Sequence, residues 1–380
     1  MNEIIYLDNS ATTKPCDACI EAVNTALSEN WGNPSSLHTV GISAEEILLS
    51  ARDSCAARFC ARPDEIFFTS GGTEANNIAI NGAVISRAKR GNRIVTTAIE
   101  HPSVLETIKT FEDKGFEVVY LVPDKNGVIK ESDLYDAINQ NTILVSIMLV
   151  NNEIGSIQPI KAARKAINAC GCPALLHCDA VQAFGKIPIN VCDLGVDLLS
   201  ASGHKIHGPK GIGILYKKKG LHVPALTFGG GQQNALRPGT EPTPLIAGLE
   251  AAMKNIGDEK KNFEIIEELC DYAKNKLTSI DGVMINSPES ALPYILNISV
   301  EGYRSETLLH FLDARGILVS SGSACAKGDL SYTLSALGLN KSRIDSALRI
   351  SFSRHNSKED VDKLCIAIIE AKQKLKRAKI

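Results

Sequence analysis

Lys205 stands on a short polar turn, Ser202-Gly-His-Lys-Ile-His-Gly-Pro-Lys-Gly211, between two apolar runs, 196–200 and 212–216, that read as buried strands. A lysine held at a strand end and stripped of water loses its preference for the charged form, and its free amine attacks carbonyls. Ser202 and His204 beside it are small donors suited to a phosphate. Together they describe a Schiff-base lysine for pyridoxal phosphate. The competing reading is an exposed turn that happens to contain a lysine.

Three other stretches carry chemistry. Residues 65–69 read as a strand, and Ser70-Gly-Gly72-Thr73 then opens an apolar-periodic helix. Glycines let backbone approach a ligand, and the free N–H groups of a first helical turn favour an anion; an ordinary helix cap would look the same. Ser320-Ser-Gly-Ser-Ala-Cys325 puts a cysteine among small residues rather than in an apolar face. Exposed free cysteine is uncommon unless its reactivity is used, so Cys325 reads as a mobile nucleophile, with a half-buried loop cysteine as the alternative. Arg349 lies in an apolar strand, Leu348-Arg-Ile-Ser-Phe352, where its fork suits a carboxylate or a structural ion pair.

Other residues invite chemistry and lack the pattern for it. Cys16-x-x-Cys19 has no second Cys-x-x-Cys and no His pair to complete a zinc site. Cys170, Cys172, His177 and Cys178 cluster in sequence, but Cys178 falls in an apolar strand and reads as core. No resident metal is expected.

The elements that must position these residues alternate. Strands are expected at 93–97, 116–121, 142–150 and 175–179, and helices at 16–29, up to about 60, from 101, at 131–139 and at 159–169. This rhythm means an α/β fold with a mostly parallel central sheet flanked by helices. Ligands in such sheets sit at the strand C-terminal ends. Thr73, His101, Asn152, Asp179, Gln182 and Lys205 all fall at or just after those ends. The segment 229–242 is a Gly-rich loop of a length that is usually functional. Helical pattern follows over 244–280. Short strands at 283–285, 295–300 and 348–353, a helix from 305 and a last one at 358–375 then indicate a smaller α+β domain. The expected division is 15–252 for the large domain, and 1–14 with 253–380 for the small one.

Composition narrows the class. Lys+Arg of 41 against Asp+Glu of 43 leaves a charge of −2, which argues against direct nucleic acid or anionic membrane partners. The N-terminus lacks a basic region followed by a long apolar run, and the longest strongly apolar run, 143–150, is too short to span a bilayer. Eleven cysteines, an odd number, fit reduced thiols and a cytoplasmic protein.

Several stretches jointly carry a family resemblance: Tyr6-Leu-Asp-Asn-Ser-Ala-Thr-Thr13, Phe68-Thr-Ser-Gly-Gly-Thr-Glu-Ala-Asn-Asn77, Glu100-His101, Val150-Asn-Asn-Glu-Ile-Gly155, Asp179-Ala-Val-Gln182, the Lys205 turn, Arg237-Pro-Gly-Thr-Glu-Pro242 and the Cys325 segment. The chain resembles the fold-type I, class-V aminotransferase group and, within it, the cysteine desulfurases of the NifS/IscS type. The resemblance implies a pyridoxal phosphate enzyme that converts L-cysteine to L-alanine and leaves the sulfur as a persulfide on Cys325. It implies that Lys205 bonds the cofactor and moves protons, Asp179 pairs with the pyridine nitrogen, Gln182 meets the ring hydroxyl, and His101 stacks on the ring and assists proton transfer. Thr73, Ser202 and His204, next to Gly72, would hold the phosphate. Thr240 would reach the same phosphate from a partner subunit, hence a homodimer. Asn152, also near the cofactor, and Arg349 would hold the substrate carboxylate. The sulfur would pass to an acceptor protein, an iron–sulfur scaffold or a tRNA-thiolation enzyme, with Cys325 meeting an iron–sulfur cluster only during transfer.

Two departures bear on the acceptor. Only Ala326 to Leu330 separate Cys325 from Ser331-Tyr-Thr-Leu, and the chain stops at Ile380, where housekeeping members continue into a tail that docks the scaffold. The alternatives are another class-V activity, a selenocysteine lyase or an aminotransferase, and a non-catalytic subunit on the same fold. An aminotransferase has no need of Cys325; a non-catalytic subunit has no need of Lys205.

Overall fold

The structure is a computed structural model that describes residues 4–321 and 330–377. Its strands, in chain order, are β1 (Ile5–Tyr6), β2 (Ile66–Thr69), β3 (Arg93–Thr97), β4 (Glu117–Leu121), β5 (Thr142–Met148), β6 (Leu175–Asp179), β7 (Leu198–Ser202), β8 (Gly213–Lys217), β9 (Val283–Ile285), β10 (Ile295–Val300), β11 (Ile317–Leu318) and β12 (Ala347–Ser351). Seven form one sheet in the order β2-β8-β7-β6-β5-β3-β4. Every pairing in it is parallel except those of β8, which runs against both β2 and β7.

Neighbouring residues along these strands enter opposite cores. Ile94, Leu144, Leu175, Leu198 and Leu215 pack on one face with Ile78 and Ala79 of the helix Gly72–Arg87 and Val104 and Ile108 of the helix Pro102–Glu112. Val95, Val145, Leu176, Leu199 and Ile214 pack on the other, with Leu48, Ala163 and Leu249 from helices Thr39–Phe59, Ile160–Cys170 and Thr243–Asn255. A strand buried on both faces needs continuous apolar sequence, which is why these runs are legible without alternation. His177 is the polar exception. Its ring is fully buried and bridges Ser146 Oγ on β5 (2.9 Å) and Ser200 Oγ on β7 (3.1 Å), tying three strands together. Burial pushes its pKa down to about 3, so it stays neutral. Cys178, its neighbour, is buried in the other core, and among the described residues no cluster able to hold a metal is found.

A second sheet, β12-β10-β9, is antiparallel, and β1 pairs with β11 in a third. The N-terminal segment, expected as an extended arm, is more structured. After β1, Asp8 bridges to Ser351, and the chain then turns through Asn9–Ala11 across to the Lys205 turn. The expected helix over 244–280 is two helices. Thr243–Asn255 ends before Gly257, which has φ +72°, and Asp258 caps Glu259–Thr278 by accepting from the N–H groups of Lys260 and Lys261. The strand before Lys205 begins at Leu198 rather than Val196 and carries Ser202 as its last residue.

Candidate active site

Three parallel strands end side by side, and the chain delivers a polar side chain just beyond each. Asn152 lies four residues past β5, Gln182 three past β6 and Lys205 three past β7; Asp179 is the last residue of β6. They line one cleft of about 600 Å³ together with Gly72, Thr73, His101, Ser202, His204 and Arg349. Of the other expected members, one is not described and one lies elsewhere. Cys325 lies outside the described residues. Thr240 is exposed and does not line this cleft.

Lys205 ends a single helical turn, Gly203–Lys205, and its Nζ donates to the carbonyls of Ser10 (2.5 Å) and Ala11 (2.8 Å). Gly203 is needed there, since a Cβ would lie 2.9 Å from Ile212 Cγ2. Asp179 Oδ2 accepts from Asn76 Nδ2 (2.7 Å) and its Oδ1 from the Val181 N–H (2.9 Å), which holds the carboxylate in one orientation. Gln182 Nε2 donates to the Ser10 carbonyl (3.0 Å).

His101 caps the helix Pro102–Glu112. Its Nδ1 accepts from the Ser103 N–H (3.1 Å), which puts the proton of the neutral ring on Nε2. Burial lowers its pKa, and the charge of Lys205 adds to this while Asp179 opposes it. Burial, again with Lys205, lowers His204 to about 4; its Nδ1 lies 3.2 Å from Thr12 Oγ1. Both imidazoles are therefore neutral near pH 7.

One end of the cleft opens past Ser70, Gly71, Gly72 and Thr73, where the helix Gly72–Arg87 begins with its first N–H groups unused by the helix, and Ser202, His204 and Lys210 border the same opening. A Cβ on Gly72 would lie 2.7 Å from Val181 Cγ2, and one on Gly213 of β8 would lie 2.5 Å from the Gly71 backbone. Both glycines let the loop lie close against the sheet, a cradle that fits a phosphate.

The opposite wall comes from the small sheet. Arg349 is buried, donating Nη2 to Asp8 Oδ1 (3.0 Å) and Nη1 to the Asn152 carbonyl (3.0 Å). The ion pair weighed against a carboxylate clamp is thus present, yet the pair does not use the whole side chain. Arg349 Nε and Asn152 Oδ1 are buried with no hydrogen-bond partner among the described residues. Unpaired buried polar atoms are costly unless a ligand completes them.

Several residues of the site were not singled out in the sequence. Asn76 sits three residues after Thr73, on the same side of its helix, a spacing that could have flagged it. Glu153 accepts from Ser331 Oγ (2.5 Å), fixing the chain six residues past Cys325 in sequence. On the other side of Cys325 in sequence, Ser320 pairs with Arg349 through both backbone groups. Glu100 is fully buried, with Oε1 accepting from the Met148 N–H and Thr97 Oγ1 (both 2.8 Å), and burial, more than Asp179, pushes its pKa up to about 8. Asp8 and the carbonyls of Ser10 and Ala11 carry no signal of their own, since any residue supplies a carbonyl.

The class-V aminotransferase profile matches residues 5–364. The cysteine desulfurase IscS of Methanosarcina thermophila is 41% identical over 379 residues, covering 99% of this chain and 93% of that protein. A solved NifS-like protein superposes with a TM-score of 0.93 at 37% identity, covering 98% of this chain and 100% of that one. A structure described as SspA in complex with cysteine matches with a TM-score of 0.83 at 34% identity, over 93% and 100%.

Proposed function

The chain belongs to the class-V aminotransferase family, a pyridoxal phosphate-dependent cysteine desulfurase of the NifS/IscS type, and from that premise we propose how its residues divide the work. The observation that supports the division is the convergence of Lys205, Asp179, Gln182, His101 and Arg349 on one cleft. The residues fit the cofactor: a phosphate cradle at Gly72, an oriented carboxylate at Asp179 and a lysine held by two carbonyls. When bound, pyridoxal phosphate supplies an electron sink for bond breaking next to the substrate α-carbon.

Lys205 would bond the cofactor aldehyde and would carry protons to and from the substrate carbons. Asp179, held by Asn76 and the Val181 N–H, would keep a proton on the pyridine nitrogen. Gln182 would donate to the ring hydroxyl oxygen. Gly72, Thr73, Ser202 and His204 would hold the phosphate. His101 would lie against the ring and, with its proton on Nε2, would pass protons within the cleft. Arg349 and Asn152 hold the substrate carboxylate by donating to it, Arg349 from the Nε that has no partner among the described residues and Asn152 from its side-chain amide nitrogen. The Cys325 thiolate attacks the substrate sulfur; the carbon–sulfur bond breaks, the sulfur stays on Cys325 as a persulfide, and the carbon skeleton leaves as alanine. The attachment of Ser320 to Arg349 and of Ser331 to Glu153 supports this role, because both flanks of the cysteine segment stand on the cleft wall.

A homodimer, with Thr240 completing the partner's phosphate site, is supported by the large exposed apolar side chains Trp31, Leu37 and Phe228. A division into domains 15–252, and 1–14 with 253–380, is proposed, and the separation of the seven-stranded sheet from the sheet β12-β10-β9 supports it. Among the described residues no helix is long and apolar enough to cross a membrane, and a cytoplasmic location is proposed. An iron–sulfur scaffold is the acceptor favoured by the names of the relatives, with a tRNA-thiolation enzyme as the second.

Incubation with L-cysteine and a thiol reductant should give equimolar alanine and sulfide. Release of sulfide without alanine, or alanine formation by a protein lacking Cys325 at the native rate, would sink the assignment. Sedimentation should give a dimer; a fully active monomer would remove Thr240 from the site. Label carried from cysteine sulfur to a cellular protein would identify the acceptor.

A further inference from the structure

Lys186 follows the cofactor motif by one turn of chain and was absorbed by none of the roles above. It is 6% exposed, in the run Ala183-Phe-Gly-Lys-Ile187. Its Nζ donates to Gln182 Oε1 (3.0 Å) and lies 5.8 Å from the centre of the Tyr294 ring. The charges that act on it are those of Lys205 and Arg349, and it acts in turn on His204 and His207; none of these is a carboxylate. Among the described residues it has only a neutral acceptor, and burial, with the charges of Lys205 and Arg349 adding to it, lowers its pKa to about 7; an apolar residue of the same shape would be tolerated better. What the lysine supplies is direction. In its ammonium form a lysine only donates, so the Gln182 atom facing it is oxygen; a carbonyl only accepts, so the Gln182 atom facing Ser10 must be nitrogen. Both neighbours enforce one orientation of the amide, which leaves Gln182 with a second N–H and no acceptor to offer the cleft.

We propose that Lys186 is a positioning residue that makes Gln182 a pure donor toward the cleft and thereby selects the ionised form of the cofactor's ring hydroxyl. This rests on the placement of Gln182 at that oxygen. Without Lys186 only the Ser10 carbonyl directs the amide and Gln182 Oε1 loses its donor, so a turned amide that presents its oxygen, which repels an ionised ligand oxygen, becomes more populated.

The test titrates pyridoxal 5′-phosphate into the full-length protein after its own cofactor has been removed, and follows the yellow band of the bound cofactor against pH. Lys186→Met should weaken cofactor binding about tenfold, the scale of one hydrogen bond. It should also raise the pH midpoint of the band by about one unit, with thermal stability of the cofactor-free protein unchanged or higher. In a Gln182→Ala background, Lys186→Met should change neither quantity by more than about twofold in affinity, because the two residues act as one unit. Native affinity and midpoint in Lys186→Met would overturn the proposal. So would undiminished effects in the Gln182→Ala background, which would mean that the lysine acts by its charge alone. Native cofactor binding by Gln182→Ala would overturn the placement of Gln182, and this inference with it. Should Lys186→Met not fold, Gln182→Glu with Lys186 in place carries the same test. Glutamate accepts from Lys186 but has no N–H for the cleft, so binding should weaken at least as much, and native binding would overturn the proposal.

Discussion

The two walls of the cleft are built on different terms. On the wall formed by the ends of β5, β6 and β7, side chains are bonded to one another: Asn76 to Asp179, Lys186 to Gln182, Lys205 and Gln182 to the Ser10 and Ala11 carbonyls. On the wall from the small sheet, Arg349 is anchored at both terminal nitrogens and leaves Nε without a partner among the described residues. The first wall is largely tied together before any ligand arrives, with Asn76 Oδ1, Ser10 Oγ and Asn152 Oδ1 as its buried atoms without a partner among the described residues, which suits a resident group held in one pose. The second has open valences, which suits a substrate that comes and goes.

If that contrast is right, damage to the first wall should remove the cofactor chemistry altogether. Lys205→Ala has the largest expected effect: loss of borohydride-bleachable yellow colour and a fall in desulfurase turnover of about a thousandfold or more. Peptide mapping that found another lysine labelled by borohydride in the native protein would break the comparison at its base. Cys325→Ser should split the two walls. The protein stays yellow and still changes spectrum on adding cysteine, while alanine and persulfide formation fall by about a hundredfold or more, since a hydroxyl is a far poorer nucleophile than a thiolate. Near-native desulfuration would mean that another cysteine attacks.

Arg349→Ala should come next, lowering kcat/KM for cysteine by about ten- to a hundredfold through a lost charged hydrogen bond, with cofactor affinity nearly unchanged. A loss of cofactor affinity as large as the loss in kcat/KM would show that the second wall is not reserved for substrate.

The smallest effect sharpens the account of the first wall. Glu100 sits behind it with a pKa raised from 4.5 to about 8, so in the folded protein it keeps its proton while an unfolded chain has lost it. Its contribution is fully present below about pH 4.5 and is lost as pH rises through 8, because over that window the native state binds the extra proton. Glu100→Gln imitates the protonated acid and should flatten the decline in stability between pH 5 and pH 8, read from urea unfolding at each pH. An unchanged pH dependence would place the ionisation elsewhere.

Legibility in the sequence follows the same division. The central strands were readable to within a residue or two, since a strand covered on both faces needs an unbroken apolar run; 93–97 and 175–179 needed no adjustment. Elements whose existence depends on partners far away in the chain were not readable. β1 and β11 are two residues each and exist only as each other's edge, and the helices Tyr332–Ala336 and Lys341–Asp345 are five-residue turns held by the caps Ser331 and Asn340. In the site, side chains that act by type were legible: Lys205, Asp179, His101 and Arg349. Backbone carbonyls at Ser10 and Ala11 were not, and neither was Glu153, whose role lies in its contact with Ser331. Lys186 was the missed warning that sequence could have given, as a lysine inside an apolar run.

The N-terminal turn joins these walls in a way that gives it a mechanical meaning. Asp8 takes Arg349 from one side, and two or three residues later Ser10 and Ala11 take Lys205 and Gln182 from the other. A span of three residues measures at most about 10 Å when fully extended. The distance between the substrate-binding arginine and the cofactor lysine is therefore gauged by a tether of fixed length near the start of the chain. One residue inserted between Asp8 and Ser10 would change the calibre of the cleft while leaving every side chain that lines it in place.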